Sequence, residues 1–180
     1  MEEEIWKDIP GYEGLYQASN LGNIKSSSHL VNDTLKRSRL MKEKILKPAT
    51  NQSGYHHVVL SRNKEKKTYK VHRLVLLAFT DILNSNEKQV NHKDLNPLNN
   101  KIKNLEWVTN RENSSHNKKG LLGVSFCKKY EKYYSCIRVL GKSKNLGYYE
   151  TEEEAHETYL KALEEYGLTN KYADKSQDNS

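Results

Sequence analysis

Residues Gln89–His116 read QVNHKDLNPLNNKIKNLEWVTNRENSSH, and this stretch decides the fold. A short apolar lead-in delivers Asn91 and His92. The following loop, Lys93 to Asn100, is rich in Asn and carries one Pro and one Asp. Asn104–Thr109 (NLEWVT) has the apolar and β-branched character of a strand, and the polar segment after it carries Asn113 and His116. The order is strand, loop, strand, helix. Pairing Val90–His92 with Asn104–Val108, and packing a helix that begins at Thr109 across them, brings His92, Asn104 and Asn113 to one face. That helix should end near Lys118-Lys119-Gly120, where basic residues and a glycine mark a C-terminus.

Those side chains suit one kind of chemistry. A neutral histidine can take a proton from water near pH 7, provided its ring is held at the nitrogen that does not face the water. Amide oxygens, such as those of Asn91 and Asn113, are hard ligands suited to Mg²⁺ or Mn²⁺. Hydrolysis of a phosphodiester needs that activated water, and a cation for the phosphate and leaving oxygens. Taken singly, an Asn in a loop is usually a turn residue and a lone His is usually structural. The combination at these intervals is the specific signal.

Outside this stretch, the composition favours small modules. Only 35% of the 180 residues are hydrophobic, and Tyr (12) outnumbers Phe (2) and Trp (2), so each core must be thin. The net charge of +7 favours a polyanionic partner but fits plain solubility as well. Its distribution says more. Residues 120–149 hold six basic side chains and one acidic, whereas seven Glu fall between Glu150 and Glu165. Such segregation turns one face toward phosphate and another toward water. Two cysteines, Cys127 and Cys136, without CxxC spacing exclude a Cys/His zinc pattern, and no apolar run spans a bilayer. A soluble, reduced, intracellular protein that meets no membrane is expected.

Along the chain, residues 5–28 read as a small β unit. Leu15–Ser19 and Asn23–Ser27 flank Asn20-Leu21-Gly22 as a hairpin, with Trp6, Ile9, Tyr12, Tyr16 and Ile24 as a minimal core. Lys36–Lys47 carries six basic side chains and one Glu, and is either a solvated loop or a carrier of cations to phosphate. Tyr55–Arg62 and Lys67–His72 form a second hairpin, and His72–Phe79 continues as a buried helix. There His72 is either a structural histidine or a direct DNA contact. Gly120–Gly123 reads as a linker. Val124–Lys128, Tyr133–Leu140 and Lys144–Tyr149 then read as three strands. A helix follows with Thr151 and Glu154 as a capping box and Ala155, Tyr159, Ala162 and Tyr166 at helical spacing.

The central stretch resembles the HNH homing endonucleases, particularly the phage group I intron type: an Asn-His pair, an Asn-rich loop, NLEWVT, and a helix with Glu112-Asn113 and a trailing His116. The resemblance implies His92 as general base, Asn104 as its orienting partner, and Asn91 with Asn113 as ligands of one Mg²⁺ or Mn²⁺ ion. Where some members carry Asp before the base, this chain has Asn91, with Asp94 or His116 as compensating candidates and His72 as an auxiliary. Trp6–Ser27 resembles the small N-terminal module found on such nucleases. Gly123–Gly167 resembles the plant ethylene-response-factor (APETALA-type) DNA-binding domain, a sheet backed by a helix. In that framework Tyr133, Ile137 and Val139 face the helix. Ser125, Tyr134, Cys136, Arg138 and Asn145 are left toward DNA.

The expectation is therefore an α+β chain of small modules. An N-terminal β module and basic segment (1–54) precede a central ββα-metal HNH nuclease domain (55–119). An APETALA-like DNA-binding domain (120–172) and a disordered tail (173–180) complete it. The expected function is a site-specific DNA endonuclease of the homing type that nicks one strand. It would act as a monomer on a long asymmetric double-stranded site, with Arg73, Lys36, Arg37 and Arg39 among its DNA contacts. The phage likeness implies action in the cytoplasm of a bacterial host. Two alternatives stay open on the same scaffold: a catalytically weakened DNA-binding regulator, and an RNA-binding helper of intron splicing.

Overall fold

The structure, a computed structural model, describes residues 2–32, 38–81, 88–116 and 118–173. The class is α+β: short antiparallel sheets with three α-helices among the described residues. No helix of the described residues is long and apolar enough to cross a membrane. The chain divides into two compact units, Met1–Thr109 and Asn110–Ser180.

The first unit begins with β1 (Trp6–Asp8), β2 (Tyr16–Ser19) and β3 (Ile24–Ser26), joined edge to edge in an antiparallel sheet. The expected hairpin is present, turned by Asn20-Leu21-Gly22 with Gly22 at φ 91°. β4 (His29–Asn32) pairs with β5 (Ser38–Met41) as a separate hairpin. β6 (Lys44–Ile45) then adds itself to the far edge of the first sheet, next to β3. A second sheet consists of β7 (Ala49–Thr50), β8 (His56–Arg62) and β9 (Glu65–Lys70). Its β8–β9 turn uses Asn63 and Lys64, both at positive φ.

Helix α1 (Val71–Phe79) follows β9 directly. Val71, His72, Leu74, Val75 and Leu76 are all buried, so the helix presents apolar residues on more than one side, as its sequence requires. It packs into a single core shared by Ile9, which follows β1, by Ala18 and Ile24 from the first sheet, by Val58 and Leu60 from β8, and by Leu105. The sequence reading placed a boundary at residue 54, but the two sides of that position share one core. The physical reason is the thin apolar supply: neither side alone has enough large side chains to close a core. Strands β10 (Gln89–His92) and β11 (Leu105–Val108) pair antiparallel, with His92 opposite Leu105 and Asn91 opposite Glu106. A 3-10 turn over Ile102–Asn104 leads into β11. Trp107 of β11 anchors on α1, where its indole N–H donates to Thr80 Oγ1 at 2.9 Å and the Arg73 guanidinium lies 5.2 Å from its ring.

The second unit opens with α2 (Asn110–Ser115), followed by β12 (Val124–Cys127), β13 (Lys132–Val139) and β14 (Lys142–Tyr149) in one antiparallel sheet, then α3 (Glu152–Glu165). The capping box at α3 is formed: Thr151 accepts from the Glu154 N–H, and Glu154 reaches back to the Thr151 N–H. Ala155, His156, Tyr159, Ala162 and Leu163 face the core, so Leu163 is buried where Tyr166 was expected. Tyr166 instead caps the helix end and meets Lys144 through its hydroxyl. Ser135 and Ile137 are buried, and a bulge falls between Ser135 and Cys136.

The stretch expected to be a linker is built into this unit. Leu122 is buried, its carbonyl lies 2.8 Å from His156 Nδ1, and a Cβ on Gly123 would lie 2.1 Å from the Tyr159 ring. Only a residue without a side chain lets the backbone approach so closely. Tyr172 and Ala173 are also buried, so the chain stays packed one residue into the expected tail, whose residues 174–180 lie outside the described part.

Candidate active site

The candidate site is built on the end of β10 and the loop that returns from it to β11. Antiparallel pairing sets Asn91 beside Glu106 and His92 beside Leu105. Asn91 and His92 are both buried. Asn91 donates its side-chain amide to Glu106 Oε1 at 2.9 Å, its cross-strand partner. A carboxylate therefore stands beside Asn91, although the residue itself is neutral. The sequence reading took the site to have no acid at that point. Glu106 is hidden in NLEWVT, and only the strand register shows its position.

His92 sits among rings. His72 meets it edge to face at 5.1 Å, and Tyr55 lies 5.8 Å away and contacts His72 at 5.1 Å. Burial is the main reason both imidazoles hold their protons weakly. It pushes the His72 pKa down to about 3, helped by the neighbouring His92, and also lowers His92. For His92 a hydrogen bond donated to Asn100 and the nearby Asp94 work in the opposite direction. A histidine kept neutral in this way is ready to accept a proton at pH 7.

The amide that touches the His92 ring is Asn100, not Asn104. Asn100 Oδ1 lies 3.4 Å from His92 Nε2. The orientation of this amide follows from its other contacts. Its nitrogen lies 3.2 Å from the Leu98 carbonyl oxygen, which can only accept. The oxygen end therefore faces His92, and His92 Nε2 must carry the hydrogen, which leaves the lone pair on Nδ1. The second hydrogen of the same nitrogen points to His56 Nδ1 at 3.3 Å.

Asn104 acts one step further back. Its Oδ1 accepts the Asp94 N–H (3.1 Å), and its Nδ2 donates to Asp94 Oδ1 (2.9 Å) and the Asn99 carbonyl (2.8 Å). Its own carbonyl accepts the Lys93 N–H at 2.9 Å. The buried amide thus fastens the whole loop to the start of β11. The expected direct grip of Asn104 on the base is replaced by a grip on the loop that carries it. Asp94 is used in the same fastening. Its carboxylate accepts from Asn99 Nδ2, the Asn96 N–H and Asn104 Nδ2, and these bonds hold its pKa below the ordinary carboxylate value.

Asn91, His92, Asn104, Asp94 and His72 all lie in the first unit, whereas Asn113 and His116 belong to the second, on and just after α2. Asn113 is exposed, and His116 packs 4.7 Å from the Tyr172 ring. Of the candidate DNA contacts, Arg73 donates to the Lys88 carbonyl at 3.2 Å besides covering Trp107. Arg39 is exposed on β5, and Lys36 and Arg37 lie outside the described residues. In the second unit Ser125 stands opposite Tyr134, whose ring is 6.1 Å from Tyr148. Arg138 is exposed and donates through Nε to the Gly141 carbonyl, and Asn145 accepts the Gly147 N–H. Sequence reasoning missed Asn100, Tyr55 and His56. Asn100 is the last of an Asn run, and only its burial separates it from its neighbours.

The donor set fits a hard divalent ion in part. Asn91 commits its amide nitrogen to Glu106, which orients its oxygen, and Glu106 supplies negative charge. Among the described residues no group of three or more His, Cys, Asp and Glu gathers as a metal cage. An ion here would thus keep water and take phosphate as a ligand.

Comparison with known proteins finds two matched regions. Residues 69–115 match the family model for HNH endonucleases, and residues 4–61 match the NUMOD4 motif, so the chain carries an HNH endonuclease region behind a NUMOD4 motif. It is similar to the DNA endonuclease I-HmuI of Bacillus phage SP01, 39% identical over 121 residues that cover 67% of this chain and 62% of that protein. It is also similar to an uncharacterized HNH endonuclease of Acanthamoeba polyphaga mimivirus, 38% identical over 130 residues, 71% of this chain and 34% of the relative. The chain thus spans less than two thirds of the length of either relative. A solved structure of the HNH homing endonuclease I-HmuI, described for its DNA binding and cleavage, aligns over 94% of this chain and 85% of its own. The identity is 29% and the TM-score 0.46.

Proposed function

We propose that this chain is a site-specific DNA endonuclease of the homing type that hydrolyses one phosphodiester bond and nicks one strand. The observation that carries the reading is the setting of His92: buried, hydrogen-bonded at Nε2 and directly after Asn91 on β10, with burial lowering its pKa. Its Nδ1 takes the proton of the attacking water. The Nε2–H bond to Asn100 persists when the ring becomes an imidazolium, so the charge formed at that moment is met by an amide oxygen. The wall of Tyr55 and His72 excludes bulk water from one side of the base.

One divalent ion, Mg²⁺ or Mn²⁺, held by Asn91, would act as a Lewis acid on the phosphate and leaving 3′ oxygens. Glu106 tunes Asn91 toward that role through its hydrogen bond. Arg39, with Lys36 and Arg37, serves the DNA backbone. The APETALA-like sheet presents Ser125, Tyr134, Arg138 and Asn145 to the duplex. The partner is double-stranded DNA with a long asymmetric site, bound by a monomer that is encoded in an intron, and the likeness to an endonuclease of a Bacillus phage supports a phage-encoded protein acting inside a bacterial host.

The test is a supercoiled plasmid carrying the fused sequence that flanks the reading frame. With Mg²⁺ or Mn²⁺ it should convert to open circle, and EDTA should stop the reaction. A DNA-binding regulator is the second reading, favoured by the neutral Asn91 and by the lack of an acidic cage among the described residues. Target binding that is equal with and without EDTA, together with no nicking at any metal concentration, would select it.

A further inference from the structure

We propose that Asn100 is a positioning residue for His92, and that the N-terminal hairpin turn around Gly22 holds Asn100 in place. This couples the NUMOD4 region to the base. The inference rests on the reading of His92 as the base and adds how its tautomer is chosen.

A neutral imidazole has two tautomers of similar energy, and only one leaves Nδ1 free to accept. Asn100 chooses between them because its amide cannot rotate. Leu98 O fixes its nitrogen end, His56 Nδ1 takes the second hydrogen of that nitrogen, and the oxygen is left for His92 Nε2–H. Asn100 is itself buried, so water offers no substitute partner.

Asn100 is in turn braced from the N-terminal side. Gly22 sits against it so closely that a Cβ there would lie 2.8 Å from the Asn100 carbonyl carbon and 2.9 Å from its Cβ and O. Because the obstructing atoms include backbone, a side chain at 22 must displace the segment. Two residues further, the Ile102 N–H donates to the Asn20 carbonyl at 2.9 Å, and Lys103 pairs with Glu2 at 2.7 Å. Asn20 is fixed by its own side chain, which accepts the Ile5 N–H and donates to the Glu3 carbonyl. Residues 2–22 therefore grip the chain at 100–103, on the return from the loop that carries the base.

The measurement uses the full chain labelled with ¹⁵N-histidine and reads imidazole tautomers by long-range ¹H–¹⁵N correlation, with nicking kinetics alongside. His92 in the unsubstituted protein should show a single Nε2–H tautomer. Asn100→Ala should give mixed tautomers and a kcat lowered about 10- to 100-fold, with KM within about twofold. Asn100→Asp, which still accepts at Nε2–H but cannot donate to the Leu98 carbonyl, should keep the single Nε2–H tautomer and recover only part of kcat. Gly22→Ala leaves every side chain of the site chemically intact and should behave like Asn100→Ala. An Nδ1–H tautomer in the unsubstituted protein, or an unchanged tautomer and kcat in Asn100→Ala, overturns the proposal. If Asn100→Ala does not fold, the unsubstituted tautomer and Gly22→Ala decide. Cutting that survives His92→Ala would sink the base assignment while leaving the tautomer result standing, so the two failures are distinguishable.

Discussion

Asn91 and Glu106 face each other across β10 and β11, joined by a 2.9 Å hydrogen bond from the Asn91 amide to the Glu106 carboxylate. The pairing gives a neutral residue the electrostatic surroundings of an acidic one. It also fixes the orientation of the Asn91 amide through its nitrogen end.

Glu106→Gln keeps the shape of that pair and removes its charge. The apparent metal affinity, read as the Mg²⁺ concentration giving half-maximal nicking, should weaken by about 10- to 100-fold, while DNA binding in EDTA stays the same. An unchanged metal requirement would mean that Glu106 serves only the strand pairing.

His72 sets a pH dependence of stability. Its folded pKa is pushed down to about 3 by burial, from an ordinary value of 6.5. Between those values the unfolded chain binds a proton that the folded chain refuses, so stability rises with pH across this window. It is complete above the upper value and is lost progressively as pH falls toward the lower. The slope contributed by one such group reaches about 1.4 kcal/mol per pH unit. Both tryptophans, Trp6 and Trp107, lie in the first unit, so urea unfolding followed by their fluorescence reports on that unit alone. His72→Phe should flatten the profile below pH 6.5, and an unaltered slope would contradict the assignment.

Asn104→Ala removes the fastening between β11 and the loop at Lys93–Asn100. It leaves the Asp94 N–H and the Asn99 carbonyl without their partner. Losing buried hydrogen bonds of this kind costs about 1–3 kcal/mol. The tryptophan-monitored transition should move to lower urea by a corresponding amount, and nicking should fall further than stability because the loop carries the base. If Asn104 gripped the His92 ring directly, the tautomer of His92 would change as well, which the geometry does not lead one to expect.

Much of this architecture is legible in the residues. The alternation of VNH and LEWV gave the β10–β11 pair to within a residue. The Asn20-Leu21-Gly22 turn and the Thr151–Glu154 capping box are local signals whose partners are close in sequence, and both formed. What could not be read depends on residues far apart meeting. Asn100 and His56 are separated by 44 positions, and nothing in either neighbourhood marks the contact. Glu106 is inseparable from a generic strand residue until the register sets it opposite Asn91. The common core of Ile9, Ile24, Leu60 and Leu105 likewise needs the tertiary arrangement, since each segment alone reads as a small module.

The most direct test is His92→Ala on the flanking-sequence plasmid with Mg²⁺ or Mn²⁺, measured beside target binding in EDTA. The account predicts that the variant binds DNA as the unsubstituted chain does and nicks it about 10²- to 10⁴-fold more slowly. Nicking at the unsubstituted rate would contradict it.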